Sequence, residues 1–186
     1  MNFTAKVKLE NKLKKKITKI GILGGTFDPC HIGHLEISKI AKIRYGLKKV
    51  IWAITKKNPF KKKSISKLED RIKLSKKFTK KYKFVEIIYF ENIIKSNKTY
   101  NLINYLKKNK TNTELYLIIG ADNLISFHKW KNWRKICKKC TILVFDRYKY
   151  KSKALKSLAF REIDKKKLRF ITFRKVNISS SQLRKI

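Results

Sequence analysis

The sequence predicts an α/β fold, a single Rossmann-like, doubly wound domain on a mainly parallel sheet. Six short apolar stretches rich in β-branched residues recur along the chain, as expected of strands buried on both faces. Between several of them, apolar residues recur at helical spacing, and this alternation is typical of a parallel sheet covered by helices on both sides. The 186 residues, of which 42% are hydrophobic, are enough for one domain of ordinary size.

The predicted elements follow one another with clear boundaries. The first strand, residues 17–23, runs into a glycine-rich turn and then a helix that includes Leu35. Pro59 ends regular structure after the second strand, a helix follows from Leu68, and Thr99 is placed to cap a later helix. The other strands are predicted at residues 48–54, 84–88, 114–119, 141–145 and 169–173, and a last helix begins near residue 178.

The charge of the chain is strongly positive. Fifty Lys and Arg against 12 Asp and Glu give a formal net charge of +38, which favours a nucleic-acid-binding protein. The lysines, however, are spread over nearly every predicted surface segment, whereas a nucleic-acid footprint clusters on one face. We therefore interpret the charge as a generally basic surface that attracts small polyanions, rather than as a nucleic-acid-binding face. Residues 1–16 are expected to be a basic extension of a domain over residues 17–186, and no apolar run is long enough to span a bilayer.

The cysteines predict neither a disulfide framework nor a metal centre. Cys30, Cys137 and Cys140 are few and odd in number, so a cytoplasmic location is expected. Cys137 and Cys140 form a C-x-x-C, which redox pairs and half zinc sites share, but a four-ligand zinc set is missing. We therefore predict no metal bound by the protein itself.

The most informative stretch is the turn at residues 24–34. Gly24 and Gly25 allow the backbone to approach a ligand, and N–H groups at the start of the following helix attract anions. His31 and His34 lie three residues apart, so both rings fit on one helix face and can donate to the same phosphate. Helix capping or packing is the first alternative for this pair, and zinc is the second. Phosphate contact is favoured because two of the three histidines of the chain occur in this turn.

Position for position, residues 24–34 resemble the G-G-T-F-D-P-x-H-x-G-H signature of the HxGH nucleotidyltransferases, specifically the bacterial nicotinate mononucleotide adenylyltransferases. The resemblance implies transfer of AMP from ATP to nicotinate mononucleotide in NAD biosynthesis. Mg²⁺ would accompany ATP, and His31 and His34 would act on the transferring phosphate. ATP contacts are implied for Gly24, Gly25, Thr26, Phe27 and His34, and an acceptor contact for Asp28.

A second element, at residues 178–184, resembles the I-S-S-[ST]-x-x-R segment that closes the ATP site in this family. Ser179, Ser180 and Ser181 would supply hydroxyl and N–H donors at a helix start, and Arg184 would neutralise phosphate charge. Serines at such positions also simply cap helices. Asp122, after the fourth strand, is expected to hold a ribose hydroxyl or to cap the next helix.

Other segments resemble the acceptor side of the family's site. Thr99 and Tyr100 match its S-Y-T element, residues 58–61 match its N-P-x-K loop with Lys61, and Trp130 matches the tryptophan that stacks on the pyridine ring. Core packing is the alternative for Trp130. Arg147 resembles an arginine after the fifth strand, without an assigned role. The chain departs from the family at Asn101, where threonine is usual, and at Ile103, where an acidic residue is common, and both are expected near the pyridine pocket.

Two rival enzymes share parts of this pattern. Phosphopantetheine adenylyltransferase has the fold and the serine-arginine element, but typically has threonine in place of His31. Residues 31–34 also spell the H-I-G-H of class I aminoacyl-tRNA synthetases, whose accessory domains a chain of this length lacks. A monomer or a homodimer is expected.

Overall fold

Six parallel strands form one sheet in the part of the chain that the structure describes. The computed structural model describes residues 17–57, 65–147 and 149–172. The strand order is β3-β2-β1-β4-β5-β6. The strands are β1 (Thr18–Gly25), β2 (Lys49–Ile54), β3 (Val85–Ile88), β4 (Thr113–Gly120), β5 (Thr141–Phe145) and β6 (Leu168–Ile171). The predicted strands and the doubly wound fold class are confirmed.

Both faces of the sheet are covered because successive side chains of each strand enter different cores. In β2, for example, Ile51 belongs to one cluster of buried residues and Trp52 to the other. Beyond their first residues, β2 and β4 are buried on both faces, which is why residues 50–54 and 115–119 form nearly continuous apolar runs rather than an alternating pattern.

The helices lie on these two faces. On the face of Trp52, α1 (Ile32–Tyr45) contributes Leu35 to the core and α2 (Leu68–Thr79) packs Ile72 against it. The opposite face is covered by helices that follow β3, β4 and β5. These are α3 (Glu91–Ile94), α4 (Thr99–Asn109), α5 (Ala121–Ile125), a 3₁₀ turn (Phe127–Lys129), α6 (Trp133–Lys139), α7 (Lys151–Leu155) and α8 (Leu158–Glu162). No helix in the described ranges has the length and apolarity needed to cross a membrane.

One predicted boundary is wrong. Thr99 was expected to cap a helix, but α4 already begins at Thr99, so Lys98 stands at the capping position and no side chain caps the helix there.

The strand order reverses between β1 and β4, which are neighbours although they are far apart in sequence. Connections leave the sheet in opposite directions from these two strands, and this opens a crevice beyond their carboxyl ends. Gly25 ends β1 and Gly120 ends β4, so the segments that follow them lie at this crevice.

Candidate active site

The turn after β1 leaves its backbone accessible at Gly24. This residue is exposed, and a Cβ placed on it would meet no protein atom within 4 Å. Phe27 anchors the turn: its side chain is 2% exposed and stacks on Trp52, with ring centroids 4.9 Å apart. Its φ of 47° lies in the left-handed region, which non-glycine residues adopt only where their surroundings hold them.

His31 and His34 form a reciprocal cap at the start of α1. The Nδ1 atom of His31 accepts the backbone N–H of Gly33 at 3.1 Å, and the Nδ1 atom of His34 accepts the backbone N–H of His31 at 3.2 Å. An Nδ1 that accepts a hydrogen bond carries no hydrogen, so the ring hydrogen of each histidine is on Nε2. The ring centroids are 3.8 Å apart, so the cap holds the two imidazole rings against each other and uses neither Nε2 atom. The capping alternative is thus correct, and it is compatible with phosphate contact.

Hydrogen bonds through Ser38 link the His34 backbone to Trp52. The backbone carbonyl of His34 accepts the Ser38 hydroxyl at 2.7 Å, and the Ser38 oxygen in turn accepts the indole N–H of Trp52 at 2.9 Å. The His34 ring lies 4.8 Å from the Phe27 ring. These contacts fix the ring at the end of the sheet.

Asp28 is buried, with 1% of its surface exposed. Its carboxylate accepts the backbone N–H groups of Ile65 and Ser66, at 2.8 and 3.3 Å. Asp28 therefore ties the turn to the segment that leads into α2, and its expected acceptor contact stays a prediction.

Arg71 makes a second link between the turn and its neighbours. Its guanidinium donates to the carbonyl of Thr26 at 2.5 Å, and also to the carbonyls of Thr55, Lys56 and Ser66, at 2.9, 3.1 and 3.2 Å. One cation thus joins the carboxyl ends of β1 and β2 to the start of α2.

Asp122 pairs with Arg147 at the carboxyl end of β4. The Arg147 Nη1 lies 2.6 Å from Asp122 Oδ2, and the Asp122 side chain is 16% exposed. The other carboxylate oxygen is buried and makes no hydrogen bond within the described residues, and a Cβ on Gly120 would collide with it. Asp122 makes no capping hydrogen bond, so the capping alternative is wrong, and the expected ribose contact stays a prediction.

Two of the side chains expected on the acceptor side, Tyr100 and Trp130, pack against the core on the face of the sheet opposite Trp52. Thr99 and Tyr100 are half-buried at the start of α4, and Trp130 is half-buried against Phe127, with ring centroids 5.0 Å apart. The indole N–H of Trp130 is buried and has no hydrogen-bond partner in the described part of the chain.

The two departures from the family pattern occupy different environments. Ile103 is fully buried in the core against which Tyr100 and Trp130 pack, and its expected place near the pyridine pocket stays a prediction. Asn101 is exposed, and its amide donates to the Ser96 hydroxyl at 2.9 Å.

The two thiols of the C-x-x-C pair lie in an environment that disfavours the thiolate form. Burial raises the pKa of the Cys137 thiol to about 11 and that of Cys140 to about 12, so both stay protonated near neutral pH. The described residues contain no group of three or more His, Cys, Asp and Glu arranged to hold a metal. The predicted sites at Lys61, Ser179, Ser180, Ser181 and Arg184, and the predicted extension at residues 1–16, lie outside the described residues.

Comparison with known proteins identifies the family of the chain. The model of the cytidylyltransferase-like family matches residues 22–186. A curated relative from Pelagibacter ubique, named probable nicotinate-nucleotide adenylyltransferase, is 59% identical over 97% of this chain and 99% of its own length. A protein of the same name from Agrobacterium fabrum is 36% identical over 69% of this chain and 68% of its own.

Solved structures share the fold. Nicotinic acid mononucleotide adenylyltransferase from Plasmodium falciparum, complexed with NaAD, superposes with a TM-score of 0.71 at 20% identity, over 90% of this chain and 83% of that one. A putative nicotinate-nucleotide adenylyltransferase from Vibrio parahaemolyticus gives a TM-score of 0.62 at the same identity, over 90% of this chain and 85% of that one. The chain belongs to the cytidylyltransferase-like family, among the nicotinate-nucleotide adenylyltransferases.

Proposed function

We propose that this chain transfers the adenylyl group of ATP to the phosphate of nicotinate mononucleotide, which gives nicotinate adenine dinucleotide and pyrophosphate. The observation that carries the proposal is the capped histidine pair after β1: the rings of His31 and His34 lie 3.8 Å apart, and their Nδ1 atoms, not their Nε2 atoms, make the cap. The exposed backbone at Gly24 leaves open space in the same turn. The names of the curated relatives supply the acceptor.

The chemistry needs positioning and charge neutralisation rather than a base. An oxygen of the acceptor phosphate, already anionic, attacks the α-phosphorus of ATP, and the bond from that phosphorus to the bridging oxygen breaks. Pyrophosphate leaves with the electron pair, so no proton has to be removed from the nucleophile. His31 and His34 donate from Nε2 to the α-phosphate oxygens, where charge develops in the transition state.

Mg²⁺ fits this site as a companion of ATP. The histidine and backbone donors of the turn are suited to anions, so phosphate oxygens and water would hold the ion. When bound, Mg²⁺ neutralises the negative charge that builds up on the leaving pyrophosphate. Ser180, Ser181 and Arg184 would hold the β- and γ-phosphates, as the resemblance implies.

The side chains proposed to bind the acceptor include Tyr100 and Trp130, which pack against the core on the face of the sheet opposite Trp52. Trp130 would stack on the pyridine ring, and its unpartnered indole N–H would suit an acceptor group of the ligand. Thr99, Tyr100 and Lys61 would complete this side. A cytoplasmic location and a monomeric or homodimeric state stay predictions.

The direct test is pyrophosphate release from ATP and Mg²⁺, with the acceptors offered separately to the purified chain. Release with nicotinate mononucleotide alone is expected. Comparable release with nicotinamide mononucleotide would make the enzyme dual in specificity, release only with phosphopantetheine would reassign the acceptor, and no release with any acceptor would refute the proposal.

Variants of His34 separate its capping from its chemistry. His34→Asn keeps an oxygen near the position of Nδ1 that can accept the His31 N–H, but it removes Nε2. We expect His34→Asn to fold with nearly wild-type stability and to lose about 10²-fold or more in kcat, since one donor to the transition state is gone. His34→Ala should lose similar activity and also stability. If His34→Asn retained near-normal turnover, the role of Nε2 would be wrong.

A further inference from the structure

Arg71 is a buried cation that the proposed chemistry does not use. It is 2% exposed, and the described residues contain no ion pair between it and a carboxylate. Its charge is instead met by four backbone carbonyls from three separate segments. An arginine that gives four of its five N–H donors to loop carbonyls fixes the relative position of those loops.

One of these carbonyls belongs to the glycine-rich turn. A trans peptide is planar, with its C=O and N–H pointing in opposite directions. Because the Thr26 carbonyl points at Arg71, the N–H of Phe27 points away from Arg71. This N–H makes no hydrogen bond within the part of the chain that the structure describes. The left-handed φ of Phe27, 47°, shows that the turn is held in a conformation that it would not adopt unaided.

We propose that Arg71 is a positioning residue: it holds the Thr26 carbonyl and thereby aims the N–H of Phe27 at a phosphate group of the nucleotide. The inference rests on the proposed function, because the phosphate is that of ATP. Arg71 acts through the loop rather than on the ligand, since it is 2% exposed and four of its five N–H donors go to backbone carbonyls.

Lysine cannot fill this role. Arginine reaches the Thr26 and Thr55 carbonyls from one nitrogen, Lys56 from a second and Ser66 from a third. A lysine ammonium has a single nitrogen at the end of a flexible chain and cannot span three directions. Arg71→Lys should therefore keep the charge and much of the fold, but release some of the carbonyls.

The test compares Arg71→Lys and Arg71→Met with Thr79→Val. Thr79 lies on the same helix, is buried, and donates to the Ser75 carbonyl at 2.8 Å, so its loss perturbs α2 away from the turn. Urea unfolding gives the folded fraction of each variant. Affinity for a non-hydrolysable ATP analogue is measured by calorimetry, and the amide of Phe27 is followed by NMR on protein labelled with ¹⁵N-phenylalanine.

In wild-type protein the Phe27 amide signal should move on titration with the analogue. Both Arg71 variants should lose this response and bind the analogue about 10- to 100-fold more weakly, as expected when a donor to a charged group is lost. Their KM for ATP should rise by more than their kcat falls, with Lys intermediate between Arg and Met. Thr79→Val should keep wild-type affinity per folded molecule.

Two results would overturn the inference while leaving the proposed function intact. The first, which can be observed with wild-type protein alone, is binding of the analogue without any change in the Phe27 amide signal. The other is an Arg71→Lys protein whose affinity and amide response equal those of wild type. A wild-type protein that neither binds the analogue nor releases pyrophosphate would overturn the proposed function as well.

Discussion

Gly24→Ala should separate stability from activity. The residue is exposed at the end of β1, its φ is outside the left-handed region, and an added Cβ would meet no protein atom within 4 Å. Neither the backbone conformation nor the packing of the folded protein therefore requires glycine at position 24. If a phosphate group of ATP occupies this space, the added methyl intrudes on the ligand and on nothing else.

The two effects have opposite signs. Replacing glycine by alanine where the backbone allows it stabilises a protein by about 0.4–1 kcal/mol, because the unfolded chain loses freedom. A methyl group forced into an occupied space costs about 1–3 kcal/mol, which corresponds to roughly 5- to 150-fold in affinity. Gly24→Ala should thus unfold at an equal or higher urea concentration than wild type and have a KM for ATP that is raised by this factor.

Gly21→Ala is the matched control on the same strand. A Cβ there would lie 2.9 Å from the Leu47 side chain and 3.1 Å from that of Ile118, inside the core. This variant should lose about 1–3 kcal/mol of stability from overpacking and keep its KM for ATP. The assay is pyrophosphate release over a range of ATP concentrations, with urea unfolding of each protein. A Gly24→Ala protein with wild-type KM and kcat would refute the placement of phosphate at this backbone.

Two further predictions concern stability. Arg147→Met should lower the free energy of unfolding by about 1–3 kcal/mol, because it leaves the mostly buried Asp122 carboxylate unpaired. Arg134→Met, which removes an exposed ion pair, should lower it by less than about 1 kcal/mol. Equal urea midpoints for the two variants would contradict this prediction. The folded Cys140 thiol keeps its proton up to a pKa of about 12, while the unfolded thiol loses it near 9, so stability should fall as pH rises above about 9. Between pH 8 and 10 this contribution is about 1.4 kcal/mol, and Cys140→Ala should reduce the decline in the free energy of unfolding, measured with urea, by that amount.

The parts of the site that the sequence predicts are those built by local contacts. The strand, the glycine-rich turn and the start of α1 are consecutive, and the cap of His31 and His34 joins residues two and three apart. Such contacts follow from spacing alone. The strand pattern likewise predicts the sheet, because buried parallel strands are apolar throughout.

The parts that the sequence does not predict depend on distant partners. Arg71 meets Thr26, which is 45 residues away, and Arg147 meets Asp122 across neighbouring strands, 25 residues away. A signal for Arg71 does exist: Arg71, Ser75 and Thr79 recur every four residues on α2, and all three are buried. This is a polar stripe where an apolar face is expected, but which carbonyls it meets depends on the fold.

The division between the two cores bears on how such an enzyme chooses its acceptor. The support of the histidine pair, Phe27 and Trp52, belongs to one face of the sheet. Tyr100 and Trp130, the side chains proposed for the acceptor, pack on the other face. Because the two sets belong to different cores, we expect changes in the packing of the acceptor side to leave the hydrogen bonds that hold His34 intact. The departures at Asn101 and Ile103 both lie on α4, the helix that carries Tyr100, and neither takes part in the cap that is proposed to serve adenylyl transfer.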